Sequence, residues 1–245
     1  MRIRVIVPVL HSDELVGKAR EEYQAWASPG VELSVVCVAN GTRSIESEYD
    51  MALAQPDVIR LAREAEKDGI DACTIACFGD PGGAGAKEAV SIPVIGEGEA
   101  AMHCASLLGS RFSVVITERA IFPLVHRLVR ACGMEGRFAS VREVGAGVLD
   151  FSLDSVPRAI DESVAAIRED GADVIVMGCT GTGVDMARAI EDGVKQRLGV
   201  YVPVIDPVKI TMKLAESLAA IGLSQSKIAY PVPPSSRPEY RFLTA

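Results

Sequence analysis

Six cysteines stand at positions 37, 73, 77, 104, 132 and 179, and two of them close the same short pattern. Asp68-Gly69-Ile70-Asp71 precedes five residues and then Cys77, and Asp170-Gly171-Ala172-Asp173 precedes five residues and then Cys179. Each of these cysteines ends a β-branched run. Turn formers follow at once, Phe78-Gly79-Asp80-Pro81-Gly82-Gly83 in one case and Thr180-Gly181-Thr182-Gly183 in the other. Glycine and proline let the chain turn sharply there, so backbone N–H groups can point at a ligand. The partial positive charge of a helix N-terminus is expected to lower a thiol's pKa from about 8.5 and raise its thiolate fraction. Two such thiols across one cleft suit the inversion of a carbon stereocentre bearing an acidic C–H. One sulfur takes the proton from one face and the other returns a proton to the opposite face. On the mirror-image substrate the roles exchange. The planar intermediate carries negative charge on a carbonyl-type oxygen, which the N–H groups after each cysteine are placed to stabilise. This chemistry calls for no metal and no organic cofactor.

Placing two thiols in this way requires two equivalent strand ends. Short β-branched runs recur at Ile3–Val9, Val31–Val38, Asp71–Cys77, Ile92–Ile95, Phe112–Thr117, Val141–Val148, Asp173–Cys179, Val202–Ile205 and Lys227–Tyr230. Amphipathic stretches such as Pro56–Lys67 and Val208–Ala220 separate them; in the first, Val58, Leu61, Ala62 and Ala65 form one apolar stripe. Strands alternating with helices imply βαβ units and parallel sheets. Runs apolar throughout, such as Val174-Ile175-Val176-Met177, imply sheets covered on both faces. The cysteine pattern recurs after roughly 100 residues, far too long a period for a solenoid. Ile92-Pro93-Val94-Ile95 is echoed by Val202-Pro203-Val204-Ile205. The chain therefore reads as two similar α/β halves facing each other about a pseudo-twofold axis. Ligands of open parallel sheets bind at the carboxyl ends of the strands, where Cys77 and Cys179 stand.

Composition narrows the function. The 245 residues are 49% hydrophobic, enough for a sizeable core, and carry a formal net charge of −8. That balance argues against nucleic-acid binding, which needs a basic face. No apolar run approaches the roughly 20 residues of a membrane span. The opening Met1-Arg2-Ile3-Arg4-Val5-Ile6-Val7-Pro8 is too short in its apolar part for a signal peptide. Six cysteines in such a chain read as reduced thiols. The expectation is a soluble cytoplasmic protein acting on a small molecule as a homo-oligomer, without nucleic-acid or membrane partners. The tail Pro231–Ala245, with four prolines, is expected to be an arm on the surface or on a neighbouring subunit.

Cys77-Phe78-Gly79-Asp80-Pro81-Gly82, Glu99-Ala100-Ala101-Met102-His103 and Gly178-Cys179-Thr180-Gly181 resemble the hydantoin racemase branch of the aspartate/glutamate racemase superfamily. Ser44-Ile45-Glu46, Tyr49-Asp50 and Pro203-Val204-Ile205-Asp206 look like the same branch, and the resemblance runs from Arg4 to about Tyr230. It implies cofactor-independent racemisation by Cys77 and Cys179. It also implies two similar Rossmann-like parallel-sheet domains with the active site in the cleft between them. The second domain would be inserted, residues 98–207 within 1–97 plus 208–245. Phe78, Gly79, Thr180 and Gly181 are expected to supply backbone N–H groups and walls, and Thr117 a substrate contact. The implied substrate is a 5-substituted hydantoin or an allantoin-like ring. The first strand departs from the family, ending in Val7-Pro8-Val9-Leu10 where the family carries Asn-Pro-Asn-Ser. That wall of the pocket is therefore more apolar. Gly79 also stands where the branch often carries Asp.

The remaining features read as structural. Cys37, Cys104 and Cys132 are expected in the core, as is Cys73, which shares strand parity with Cys77 but lies four residues back, roughly 13 Å at strand rise. His126 reads as solvated, His103 as structural, and His11 follows the first strand near the expected recognition wall. Gly96-x-Gly98-x-x-Ala101 imitates a dinucleotide fingerprint, but Glu97 and Glu99 would face the pyrophosphate. Gly82-Gly83-Ala84-Gly85 lacks the Lys-Ser/Thr of a P-loop and reads as a turn. Asp80 is expected to cap the helix after the first cysteine or to hold the turn. Three alternatives stay open: an acidic amino-acid racemase, a related decarboxylase or isomerase, and a non-catalytic binding or thiol redox-sensing protein.

Overall fold

The computed structural model describes residues 1–179 and 183–234. Strand and helix alternate as β1 (Arg2–Leu10), α1 (Asp13–Trp26), β2 (Glu32–Val38), α2 (Glu48–Lys67), β3 (Ala72–Ile75), α3 (Gly83–Ala89), β4 (Val94–Gly96) and α4 (Glu97–Leu108). The pattern continues with β5 (Phe112–Ile116), α5 (Phe122–Ala131), β6 (Phe138–Glu143), α6 (Val156–Glu169), β7 (Val174–Met177), α7 (Met186–Leu198), β8 (Val204–Ile205) and α8 (Pro207–Ala220). The strands form two four-stranded parallel sheets of the same order, β2-β1-β3-β4 and β6-β5-β7-β8. The fold is thus α/β with two similar halves. Helix α8 packs back on β3 and β4 of the first sheet and on α1 and α4. Among the described residues no helix is long and apolar enough to cross a membrane.

Side-chain alternation distributes the core. On β1, Ile3, Val5, Val7 and Val9 enter a cluster that also takes Phe112, Val114 and Ile116 of β5, while Ile6 points to the opposite face. On β7, Val174 and Val176 join the same shared cluster, while Ile175 and Met177 pack under α6 and α7. Each sheet is therefore buried on both faces, and one continuous core joins the halves.

The D-G-x-D repeat performs the same task twice. Gly69 at φ +70° and Gly171 at φ +73° take the left-handed turn that ends α2 and α6. The Asp71 carboxylate then accepts the Arg2 amide at 2.7 Å, and that of Asp173 accepts the amides of Ser110 and Arg111 at 2.9 Å each. In both halves the two inner strands, β1 with β3 and β5 with β7, are thereby pinned together at their starts.

Three expected elements differ. Helix α2 starts at Glu48, capped by Ser47, so Pro56 lies inside it rather than at its start. Strand β6 ends at Glu143 because Thr117 O captures the amides of Gly145 and Ala146, turning the chain away. Lys227–Tyr230 is a turn, with Ile228 fully outside at 95% exposure. Its work is done by side chains: Lys227 Nζ donates to the carbonyls of Lys87, Glu88 and Val90 at the end of α3, and Gln225 bonds the backbone edge of β4. Of the tail, 231–234 is exposed and 235–245 lies outside the described residues.

Gly69→Ala and Gly171→Ala should each cost about 1–2 kcal/mol, because a Cβ is strained at positive φ. The sites lie in separate halves, so the double variant should lose the sum, as measured by urea denaturation.

Candidate active site

Strands β3 and β4 run parallel with Ile75 beside Gly96, so the Cys77 loop and the first turn of α4 leave the sheet side by side. The Cys77 amide donates to Ile75 O at 2.9 Å, which ends the strand at once. Strand parity with Cys73 therefore does not hold: Cys73 is buried in the outer core of the first sheet, whereas Cys77 turns against the core shared by the halves. The Cys77 sulfur accepts the Gly79 N–H. Gly79 needs its bare Cα, since a Cβ there would lie 2.9 Å from Met51 Sδ.

Asp80 holds this loop in place. Its carboxylate accepts the Gly98 amide at 3.0 Å and the Glu99 amide at 2.8 Å. It thus caps α4, rather than the helix that directly follows the cysteine. The backbone of Asp80 takes φ +50°, unusual for a residue with a side chain, to make this reach. Both glycines of the fingerprint-like motif serve the contact. A Cβ on Gly96 would lie 2.2 Å from the Asp80 carboxyl carbon, and one on Gly98 would lie 2.1 Å from Phe78 O. The helix N-terminus that resembled a phosphate site is occupied by the protein's own carboxylate. Burial pushes the Asp80 pKa up to about 7, against the pull of the two amides and of Lys87.

In the second half Gly178 lies so close to β5 that a Cβ would stand 2.4 Å from Ile116 Cγ2. Cys179 follows it, buried at the corresponding strand end. Beyond the loop, the Gly183 amide donates to Glu22 of α1, joining the two halves. Cys77 and Cys179 line one cavity of about 680 Å³. Charge on Cys179 contributes to raising the Cys77 pKa. Val7, Val9 and Leu10 of β1 form one apolar wall, and Leu124, Val125 and Leu128 of α5 another.

Of the other expected site residues, Phe78 and Gly79 line the cavity, and Thr180 and Gly181 lie outside the described residues. Thr117 is fully buried behind the wall and is not among the described lining residues. Its Oγ1 has no partner among the described residues. His11 lies at the exposed rim, 3.1 Å from Asp13. His103 and His126 are exposed on α4 and α5, away from the cavity. Sequence reasoning missed Tyr23, Glu97 and Glu22, which also line it. The only signal for Glu97 was an acidic residue directly after a buried strand.

The electrostatics of the Cys77 thiol differ from expectation. Burial pushes its pKa up, and the charges of Glu97, Asp80 and Cys179 push the same way; the Gly79 amide alone pulls it down. Desolvation outweighs any helix N-terminus here, because the following helix starts six residues on, at Gly83. Burial also raises Glu97, whose Oε1 accepts the Tyr23 hydroxyl at 2.6 Å. Among the described residues no group of three or more His, Cys, Asp or Glu is placed to hold a metal ion.

The arrangement can be compared with known proteins. The family model described as Asp/Glu/Hydantoin racemase matches residues 9–215. A hydantoin racemase of Paenarthrobacter aurescens is 38% identical over 234 residues, covering 93% of this chain and 94% of that protein. The solved structure of an allantoin racemase from Klebsiella pneumoniae superposes with a TM-score of 0.85 at 33% identity, covering 100% of this chain and 96% of the other. That of an allantoin racemase from Pseudomonas fluorescens gives 0.85 at 33%, covering 97% and 99%.

The raised Asp80 pKa has a thermodynamic consequence. Between about pH 4 and 7 the folded chain holds a proton at Asp80 that the unfolded chain releases, so this carboxyl's contribution to stability declines as pH rises. Urea denaturation across that window should give Asp80→Asn a shallower decline than wild type. Equal slopes would contradict the assignment.

Proposed function

The chain belongs to the hydantoin racemase branch of the Asp/Glu/hydantoin racemase family and is a racemase, and from that premise we propose that it inverts the ring stereocentre of a 5-substituted hydantoin or allantoin-like ring through Cys77 and Cys179. The observation that carries this reading is that the two thiols of the repeated motif line one cavity from corresponding strand ends. One sulfur starts as thiolate and takes the C5 proton; the C–H electron pair moves into the ring carbonyl to give an enolate. The thiol on the opposite face then donates its proton to C5 as the pair returns, leaving that sulfur as thiolate. Atoms and charge balance, and the two sulfurs have exchanged states. In this reading the cleft lies between residues 1–97 with 208–245 and residues 98–207.

Burial suits the step, because a desolvated thiolate is a stronger base than a hydrated one. The amides around Gly79 and after Cys179 would stabilise the enolate oxygen. The apolar walls of β1 and α5 favour a ring bearing an apolar substituent.

Optically pure 5-benzylhydantoin should lose its circular dichroism with enzyme, and its C5 proton should exchange in D2O. Cys77→Ser and Cys179→Ser should each abolish racemisation, while exchange of one enantiomer survives in a single variant. Full racemisation by either single variant would overturn the two-thiol mechanism. Exchange of aspartate or glutamate in preference to hydantoins would overturn the substrate class.

A further inference from the structure

Glu97 is the first residue of α4 and is fully buried, yet it lines the reaction cavity. The Tyr23 hydroxyl donates to its Oε1 at 2.6 Å, while Oε2 has no partner among the described residues. No basic group is among the leading influences on it in the described residues. The groups that act on it are acidic or phenolic: Asp80 from the β3 loop, Glu22 and Tyr23 from α1, and Asp206 at the start of α8. Burial among such groups raises its pKa and favours the neutral form. With Oε1 accepting from Tyr23, the proton belongs on Oε2. Leaving a buried O–H donor without an acceptor is unfavourable, and a ligand acceptor would recover that cost.

We propose that Glu97 is a substrate-binding residue whose protonated carboxyl, held by Tyr23, donates a hydrogen bond from Oε2 to a ring carbonyl oxygen of an uncharged cyclic amide or ureide. This deepens the proposed function and rests on it. The β1 wall offers only aliphatic side chains at Val7, Val9 and Leu10, so the ring's polar edge needs a donor elsewhere. The Tyr23–Glu97 pair supplies one beside Cys77. The acidic surroundings of Glu97 disfavour an anionic substrate, so the pair selects a neutral ring over a free amino acid. Glu97 takes no proton from carbon; its bond to the carbonyl tightens as negative charge gathers there.

The test compares Glu97→Met, which keeps length and loses the donor, with Glu97→Gln, whose amide N–H donates in the same place while its oxygen still accepts from Tyr23. With 5-benzylhydantoin, Glu97→Met should raise KM and lower kcat/KM by about tenfold or more, the scale of one buried hydrogen bond. Glu97→Gln should recover most of that loss. Wild-type KM in Glu97→Met, or equal damage in both variants, would overturn the proposal. A second readout needs no turnover. At neutral pH Asp80 contributes to the protonated-carboxyl region as well. The wild-type minus Glu97→Gln infrared difference spectrum of the free enzyme should therefore show the C=O stretch of a protonated buried carboxyl, and that band should shift on adding the hydantoin. If wild type racemises no hydantoin, the proposed function fails. The infrared band still decides for Glu97: no band, or a band unmoved by the ring and moved by aspartate, overturns its role.

Discussion

The hydrogen bonds from the Gly98 and Glu99 amides to the Asp80 carboxylate tie the loop carrying Cys77 to the first turn of α4. Without them that loop would rest on a short turn, and its backbone at Asp80 would relax from φ +50°. A carboxylate cap of this kind is worth about 0.5–2 kcal/mol, comparable with the local strain it offsets. The cap decides three further features. It fills the anion site of α4 from within, it holds Phe78 and Gly79 at the cavity wall, and it brings Glu97 to the same wall as Cys77.

The two halves share a backbone plan and differ in what holds the two cysteine ends. Sheet order, the D-G-x-D entry and the left-handed helix stops recur in both. The first cysteine loop is held by Asp80 and by two close glycine approaches, and the buried carboxyls of Glu97 and Glu22 line the cavity beside it. The second is reached through Gly178 pressed against β5, with Glu22 of the first half bonded to Gly183 beyond it. Similar sulfur placement is thus compatible with unlike surroundings. The backbone sets where each thiol stands, and local side chains set how it ionises and what lies beside it.

Burial is the common reason that local rules fail in this site. A helix N-terminus was expected to favour the Cys77 thiolate, but removal from water acts the other way and is larger. The same desolvation keeps Asp80 and Glu97 from behaving as surface acids. In the proposed mechanism this matters, because a thiol that is hard to ionise is a strong base once ionised.

A repeated D-G-x-D pattern and apolar alternation act through the nearest neighbours in the chain, and they put Cys73 in the core and Cys77 and Cys179 at corresponding strand ends. Cys37, Cys104 and Cys132, expected in the core, are only partly buried against it. Those same local forces made the α/β class, the parallel strands and the two halves legible. Lys227–Tyr230 had the composition of a strand but no free edge to pair with, since Gln225 already bonds β4 through its side chain. Gly96 and Gly98 imitate a nucleotide motif, and their actual reason was not legible because it is a carboxylate and a carbonyl from another loop, 16 or more residues away in sequence. The pairing of Glu97 and Tyr23 was invisible for the same reason: each is ordinary for its own helix, and only the tertiary fold, which seats α1 on β2 and α8, makes them one pair in one cavity. The chain's local patterns determined the elements and where the two repeated-motif thiols stand. Tertiary packing alone decided the environment around Cys77, because desolvation and long-range contacts depend on which distant residues meet.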